Sequence, residues 1–499
     1  MTETKLPPVV RGEIQPWTDA DPAGGPVLAA FLADLLPASV GRVLLAGPHD
    51  TGVLDVLAGR SADVTVLRRS VSDAEDLRAS GHTVVAGALD GLAGQRPGPY
   101  DVVVAADGLD RLLGTDSPAL DWPERAGLLR GLAAPGALVV IGVENGFSIT
   151  ALLDRRPVKE RHGDDEWRPL RDDPRRPSSP AQIEDVLGTA GRRYALFGSA
   201  GRVHTLVESD ALARTAPGLP GAGIALAGLA AVAGGTPLLA PVTGAAEAAA
   251  RAGMLDAVAP GWLVVLGDGG PVHTAYTPSG VADLTADGWR FGDRLVPDTE
   301  SAETELFRLA AAEDVPGFRA CAARLRDGAF FDRVHDGVAL PGPEIPLAAA
   351  WIRFRDRLVG GHRRHPWPPW MADGDDLVTM WLAMSGVEAT PEMLARGREI
   401  AGTESRPDLL SVLADAEAAR VTAKEQAGHI FGLERTMRFR DQQLRTREQQ
   451  LRTMRDEMRR LRGGRAVRAA QLAGRVARLR DPKRLAGALK RRARAFLRR

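Results

Sequence analysis

The segment Arg42–Ala58, RVLLAGPHDTGVLDVLA, runs from an apolar strand through a glycine-bearing turn into a helix. Gly47 and Gly52 let the backbone approach a ligand closely, and the helix start offers unpaired N–H groups. In an open α/β sheet the ligand lies beyond the strand carboxyl ends, where the strand order reverses. His49 and Asp50 sit in that same turn. Asp90 (GALDGL) follows a third strand, Asp107 (YDVVVAADGL) a fourth, and Glu144 (LVVIGVEN) ends a fifth. A carboxylate or imidazole at such a place can take a proton from a hydroxyl. Each has a plainer alternative: a solvated loop carboxylate for Asp107 or Glu144, a capping or surface residue for His49.

The elements that would position these groups alternate between residues 23 and 205. Val27–Leu36 has helical spacing. Val43–Ala46, Val64–Leu67, Val84–Ala86, Tyr100–Ala105 and Ala137–Val143 are compact apolar strands. Leu54–Ala58, Ala74–Ala79 and Pro123–Ala133 suit crossover helices. Short apolar strands joined by helices predict a parallel sheet covered on both faces. Gly191–Glu208 predicts an antiparallel hairpin at the end of that sheet. The fold class is therefore α/β, a doubly wound, mostly parallel, Rossmann-like sheet, followed by an α+β region and a C-terminal coiled-coil helix.

This order, with the Tyr-Asp-Val-Val-Val strand and the Ala133–Gly136 turn (AAPG), resembles the class I S-adenosylmethionine-dependent methyltransferases over roughly residues 23–208. Through HPWPPW, ending at Trp370, and VENGFS at 143–148, the chain also resembles actinobacterial methyltransferase-like proteins associated with surface-polysaccharide assembly. The resemblance implies S-adenosylmethionine bound by Gly47, His49, Asp50 and Gly52. It places Asp90 near the adenine amine and Ala106–Asp107 beside the methionyl moiety. It implies methyl transfer to a sugar or glycan-like acceptor, with Asp107 or Glu144 as base where the acceptor is a hydroxyl. The chain departs from the family pattern in its first loop, which has Leu45-Ala46 for the usual acid and Pro48-His49-Asp50 around the middle glycine. Where the family places an acid to accept the ribose hydroxyls stand Arg68-Arg69, which only donate. These departures motivate the alternative of a non-catalytic methyltransferase-fold scaffold that assembles partners through its coiled coil and basic tail.

The chain divides into an N-terminal extension (1–22), the methyltransferase-like domain (23–210), an α+β accessory region (211–400), a long helix (401–462) and a basic amphipathic tail (463–499). In the accessory region, Trp262–Gly267 with Val272–Tyr276 predicts a hairpin, and Glu303–Arg326 and Pro346–Leu358 predict helices. Six of the nine tryptophans fall between Trp262 and Trp381, which favours a separate core over an aromatic ligand platform. The uncharged stretch from Arg214 to Glu247 is rich in Ala and Gly and flanked by prolines, so a buried helix is favoured over a membrane span. Asp298, Glu300, Glu303 and Glu305 cap and precede a helix. A lone cysteine, Cys321, excludes a disulfide framework. His362 and His365 lack carboxylate or thiolate company and flank two arginines, so no metal is expected. No basic-then-apolar leader opens the sequence, which points to the cytoplasm.

The formal net charge is zero, yet residues 434–499 hold 23 basic and 6 acidic side chains against 41 and 58 in the remainder. Ile430, Met437, Leu444, Leu451 and Met458 recur every seven residues, with Leu433, Met454 and Leu461 on the matching seam and Arg440 and Arg447 interrupting it. That pattern predicts self-association through a coiled coil. Beyond Gly463-Gly464, Leu472, Val476 and Leu479 share one helix face, as do Leu485, Leu489 and Phe496. Basic segments with an apolar face suit an anionic membrane surface on the inner side, a peripheral placement for residues 463–499, and the plainer alternative is a solvated tail or one folded back on the acidic body. Nucleic acid is disfavoured, since the segment has no zinc pattern, aromatic interleaving or groove-reading motif.

Overall fold

Apolar runs bounded by turns become five parallel strands: β1 (Arg42–Ala46), β2 (Asp63–Arg68), β3 (Thr83–Ala86), β4 (Tyr100–Ala105) and β5 (Ala133–Glu144). The computed structural model describes residues 7–15, 17–156, 173–188, 191–199, 202–233, 236–325, 328–371, 375–401 and 409–479, with Gly487 and Lys490. The helices α1 (Pro26–Leu35), α2 (Thr51–Ala58), α3 (Val71–Ala79), α4 (Leu89–Gln95) and α5 (Trp122–Gly131) cover the strands, followed by α6 (Ile149–Leu153) and α7 (Pro180–Leu187). Alternation along β1 sends Val43 and Leu45 into the core under α1–α3, and Leu44 and Ala46 into the core under α4, α5 and α7. Strands buried on both faces have to be continuously apolar, as these are. Ser70, Asp50, Ser179 and the Asp121–Glu124 capping box start α3, α2, α7 and α5, each contributing about 1 kcal/mol.

The expected hairpin is β6 (Arg192–Ser199) with β7 (Arg202–Glu208). After it come α8 (Ser209–Ala213), α9 (Pro220–Ala233), α10 (Val242–Arg251) and the strands β8 (Gly261–Leu266), β9 (Ala275–Thr277), β10 (Gly280–Thr285), β11 (Gly288–Phe291) and β12 (Arg294–Pro297). All join one 12-stranded sheet in the order β12-β11-β10-β9-β7-β6-β8-β5-β4-β1-β2-β3. Two features differ from the sequence reading. The run Trp262–Leu266 does not pair with Val272–Tyr276; it enters as β8 between β5 and β6, antiparallel to both. Its side chains are buried on both faces, an environment only a central position supplies. The sheet therefore continues through residue 210 to Pro297 as a mixed sheet, with the parallel strands at one end.

The uncharged stretch forms α9 against β6 and β7. Its small residues permit that approach: a Cβ on Gly228 would sit 2.6 Å from the Cβ of Phe197. Among the described residues no helix is long and apolar enough to cross a membrane. The helix expected over Glu303–Arg326 is two, α11 (Ala302–Ala311) and α12 (Val315–Arg324), because Asp314 caps a new start and Pro316 cannot continue the old helix. After β13 (Val334–His335) and β14 (Val338–Ala339), the helices α13 (Leu347–Val359), α14 (Asp376–Met384) and α15 (Pro391–Ala401) enclose an aromatic core of Phe318, Phe331, Trp351, Phe354, Trp367 and Trp381. Trp370, by contrast, is 77% exposed. Ser301 caps α11, but Glu303 turns inward and meets Arg357 Nη1 at 2.6 Å. Burial pushes the Glu303 carboxyl up to about 7 against the pull of Arg357.

The larger compact unit is 1–409 and the smaller 410–499. The smaller holds most of α16 (Leu409–Gly463), 55 residues long, which Gly463-Gly464 ends before α17 (Arg465–Leu479). The second basic segment, 485–496, lies almost entirely outside the described residues.

Candidate functional site

The turn after β1 stands where the strand order reverses between β1 and β4, the place at which an open α/β sheet binds its ligand. Gly47 has φ 92°, a left-handed value that costs glycine nothing, and donates its N–H to Leu67 O. His49 is buried, its Nδ1 3.1 Å from Gly47 O and its Nε2 accepting the Asp107 N–H at 3.3 Å. Burial first, and the Arg68 cation second, hold the imidazole down to about 3. His49 is thus a neutral strut between the β1 and β4 turns, with both ring nitrogens engaged.

Asp50 uses both oxygens inside the fold. One accepts Val53 N–H and caps α2; the other accepts Gly25 N–H at 2.8 Å. Gly52 lies in the first turn of that helix beside the Asp50 carboxylate. Ala106 is buried at the exit of β4. Asp107 beyond it grips Arg111, whose Nε is 2.8 Å from Oδ2, with both side chains under 10% exposed. Glu144, at the end of the neighbouring β5, is half exposed and accepts from Arg176 at 2.8 Å. The structure thus gathers Gly47, His49, Asp50, Gly52, Ala106 and Asp107 at one edge, with Glu144 ending the adjacent strand.

A segment outside the expected constellation crosses this edge. Residues 8–15 and 17–25 form a strap over the carboxyl ends of β3, β2 and β1 in turn. Val10 N–H donates to Ala86 O at 2.8 Å, Ile14 N–H to Arg69 O at 2.8 Å and Ala23 N–H to Pro48 O at 2.9 Å. The return bonds from Ala86, Val71 and Asp50 close each bridge. Side chains lock it: Asp90 accepts from Arg11 Nε at 3.0 Å and from Ser117 Oγ, while Arg69 and Asp19 form an ion pair with each side chain 1% exposed. Arg111 also donates to the carbonyls of Ala20 and Asp21. The contact is close enough to require glycine: a Cβ on Gly12 would fall 2.3 Å from that of Ala88.

Arg68 fills the remaining space at the end of β2. It is 6% exposed and donates from Nη2 to His49 O, while its buried Nε has no partner among the described residues. Burial lowers its pKa from the usual guanidinium range, and the surrounding aspartates partly offset this. S-adenosylmethionine does not fit this crevice as it stands. At the end of β2 Arg68 only donates, Asp90 is taken by Arg11, and the strap's backbone lies across the strand ends. A cavity of about 360 Å³ lies elsewhere, beside β12 and β14, lined by Arg294, Phe330, Arg333 and Leu340.

No protein-family model matches the chain, and no curated protein matches it. Among solved structures it is similar to the N-methyltransferase NodS from Bradyrhizobium japonicum WM9 in complex with S-adenosyl-l-homocysteine, at 18% identity over 24% of this chain and 59% of that one, TM-score 0.19. It is similar to the CcbJ methyltransferase from Streptomyces caelestis at 21% identity over 28% and 56%, TM-score 0.19. It is also similar to the [4+2]-cyclase SpnF at 17% identity over 54% and 88%, TM-score 0.24. The chain spans less than two thirds of the length of the first two. None of these matches carries the surface-polysaccharide resemblance. The α/β character of the fold rests on the strand order itself.

Sequence reading missed Arg11, Asp19, Arg111 and Ser117 because no periodicity marks a strap that borrows its hydrogen bonds from strand ends. The only local signals were Gly12 and Gly24-Gly25, and glycines alone are ambiguous.

Proposed function

We propose that the α/β unit is a non-catalytic, methyltransferase-fold scaffold whose ligand crevice is filled by its own N-terminal strap, and that the C-terminal unit assembles it with partners. The strap carries this reading. Fold alone does not specify activity, and the residues that would have to meet a cofactor are instead satisfied within the chain. Titration calorimetry of the full chain with S-adenosylmethionine is expected to show no binding heat at high micromolar concentration. Clear saturable binding by the native protein would sink the scaffold reading.

A second reading, S-adenosylmethionine-dependent methyl transfer to a sugar or glycan-like acceptor at the inner membrane face, is favoured by the β3-β2-β1-β4-β5 order and the open-φ Gly47 turn. It requires the strap to leave the crevice. Binding gained only by Arg68→Asp would mark a lost ancestral site rather than a working one.

For placement of the scaffold, the proposed partner is an anionic membrane surface. The reading is supported by α17, where Leu472 and Val476 are more than half exposed on one side and Arg468 and Arg475 lie beside them. Each cation near anionic lipid contributes about 1 kcal/mol. Full-length protein is expected to pellet with phosphatidylserine-containing vesicles at low salt and to be released at high salt. Removal of residues 463–499 should abolish the pelleting, and equal pelleting of both proteins would exclude the tail as anchor.

A further inference from the structure

The helix α16 leaves a heptad seam in solvent. Ile430, Met437, Leu444, Leu451 and Met458 are each 49–66% exposed, and so are Leu433, Met454 and Leu461 within a similar range. From Ile430 to Leu461 the seam runs about 46 Å at 1.5 Å per residue. A helix of this kind buries its seam against a partner helix. The partner and its direction follow from the two arginines that interrupt the seam.

We infer that α16 pairs with a second copy of this chain as an antiparallel coiled coil, its two-fold axis between Arg445 and Thr446. In a parallel, in-register dimer each seam residue faces itself. Arg440 would then oppose the partner copy's Arg440, and Arg447 its counterpart, burying two successive like-charge layers. Such uncompensated burial is strongly unfavourable. Asp441 and Glu448 of the facing helix border the holes that these arginines enter, yet the parallel register still sets each guanidinium against its like-charged equivalent at the centre of the layer.

Antiparallel pairing about the stated axis changes every layer. Ile430 faces Leu461, Leu433 faces Met458 and Met437 faces Met454. Arg440 meets Leu451 and Arg447 meets Leu444, so each guanidinium stem packs on leucine while its head reaches the edge. At the flanking positions Glu434 faces Arg455, and Asp441 faces Glu448 of the opposite helix with Arg440 and Arg447 beside them, so the central acids and arginines balance in charge. Among the described residues Glu448 has a loose, exposed contact with Arg452 at 3.9 Å, so it can turn to the partner helix. The same arginines that disfavour the parallel form are matched in the antiparallel one. This goes beyond the scaffold reading and stands without it, since cofactor binding by the larger unit would leave the seam unchanged.

Oxidative cross-linking of the full chain tests the geometry. The native Cys321 is buried and burial pushes its thiol up to about 12, so it stays silent. The double variant Met437→Cys/Met454→Cys is expected to form a covalent dimer, while Met437→Cys alone and Met454→Cys alone are not, because equivalent residues lie about 25 Å apart along the antiparallel pair. Self-linking of the Met437→Cys single variant would show parallel pairing and overturn the inference. Sedimentation equilibrium of the unmodified protein should give a dimer; a monomer, or a larger assembly, would equally overturn it.

Discussion

Asp19→Ala will destabilise the larger unit by about 3–5 kcal/mol, the usual consequence of stranding one member of a buried ion pair. Arg69 and Asp19 have side chains 1% exposed, with Arg69 Nε 2.9 Å from the carboxylate. Removing the carboxylate leaves a guanidinium with no route to water. The loss extends along the strap, because the Asp19 carboxylate also accepts the indole N–H of Trp17, and its backbone N–H donates to Asp73 at 3.0 Å. The double variant Asp19→Leu/Arg69→Met, with both charges gone and apolar bulk retained, should recover much of the stability. Urea unfolding at constant pH reads both effects through the midpoint and slope. A loss below about 1 kcal/mol for the single variant would mean that the strap is not anchored through this pair.

The second large effect is a steep acid limb governed by His49. Its imidazole is held down to about 3 in the fold, against an ordinary value of 6.5 in the unfolded chain. Between those values the unfolded chain binds the proton and the folded chain does not. Stability from this group is therefore complete above pH 6.5 and is lost as the pH falls towards 3, by about 1.4 kcal/mol per unit. Protonation also places a cation beside Arg68 in the same dry site, at the turn to which Ala23 of the strap is bonded. His49→Gln, which titrates nowhere in this range, should flatten the limb whatever its own baseline stability. Equal pH slopes for native and variant chains between pH 6.5 and 4 would show that another group carries the acid response.

Most of the α/β half was legible because its signals are local. Val43–Ala46, Tyr100–Ala105 and their neighbours are short apolar runs between turns, and alternation within them decides which face each side chain takes. The glycine turn and the carboxylates after the strands were legible for the same reason. What local pattern does not encode is which distant segment claims a strand's edge. Trp262–Leu266 reads equally well as a hairpin arm or a central strand, and only pairing with β5 and β6 decides between them.

The candidate site shows the same division. Residue types alone indicated that Arg68 is a donor where an acceptor is customary. That Asp90 is consumed by Arg11 and that Asp50 holds Gly25 are consequences of the strap returning to the strand ends, and that His49 spends both nitrogens internally follows from the meeting of the β1 and β4 turns.

By itself, then, the sequence determined the periodic elements: a parallel α/β core, a helix with a seven-residue seam, and a strongly basic end. These depend on neighbours within a few residues, where the spacing of apolar side chains and the freedom of glycine act directly. The tertiary structure decided what the crevice contains. A ligand site and a filled one can have the same glycine turn and the same carboxylates; the difference lies in contacts between the N-terminal strap and strand ends far along the chain. Such contacts form by matching unpaired backbone groups and buried charges in space, and sequence spacing carries no record of that match.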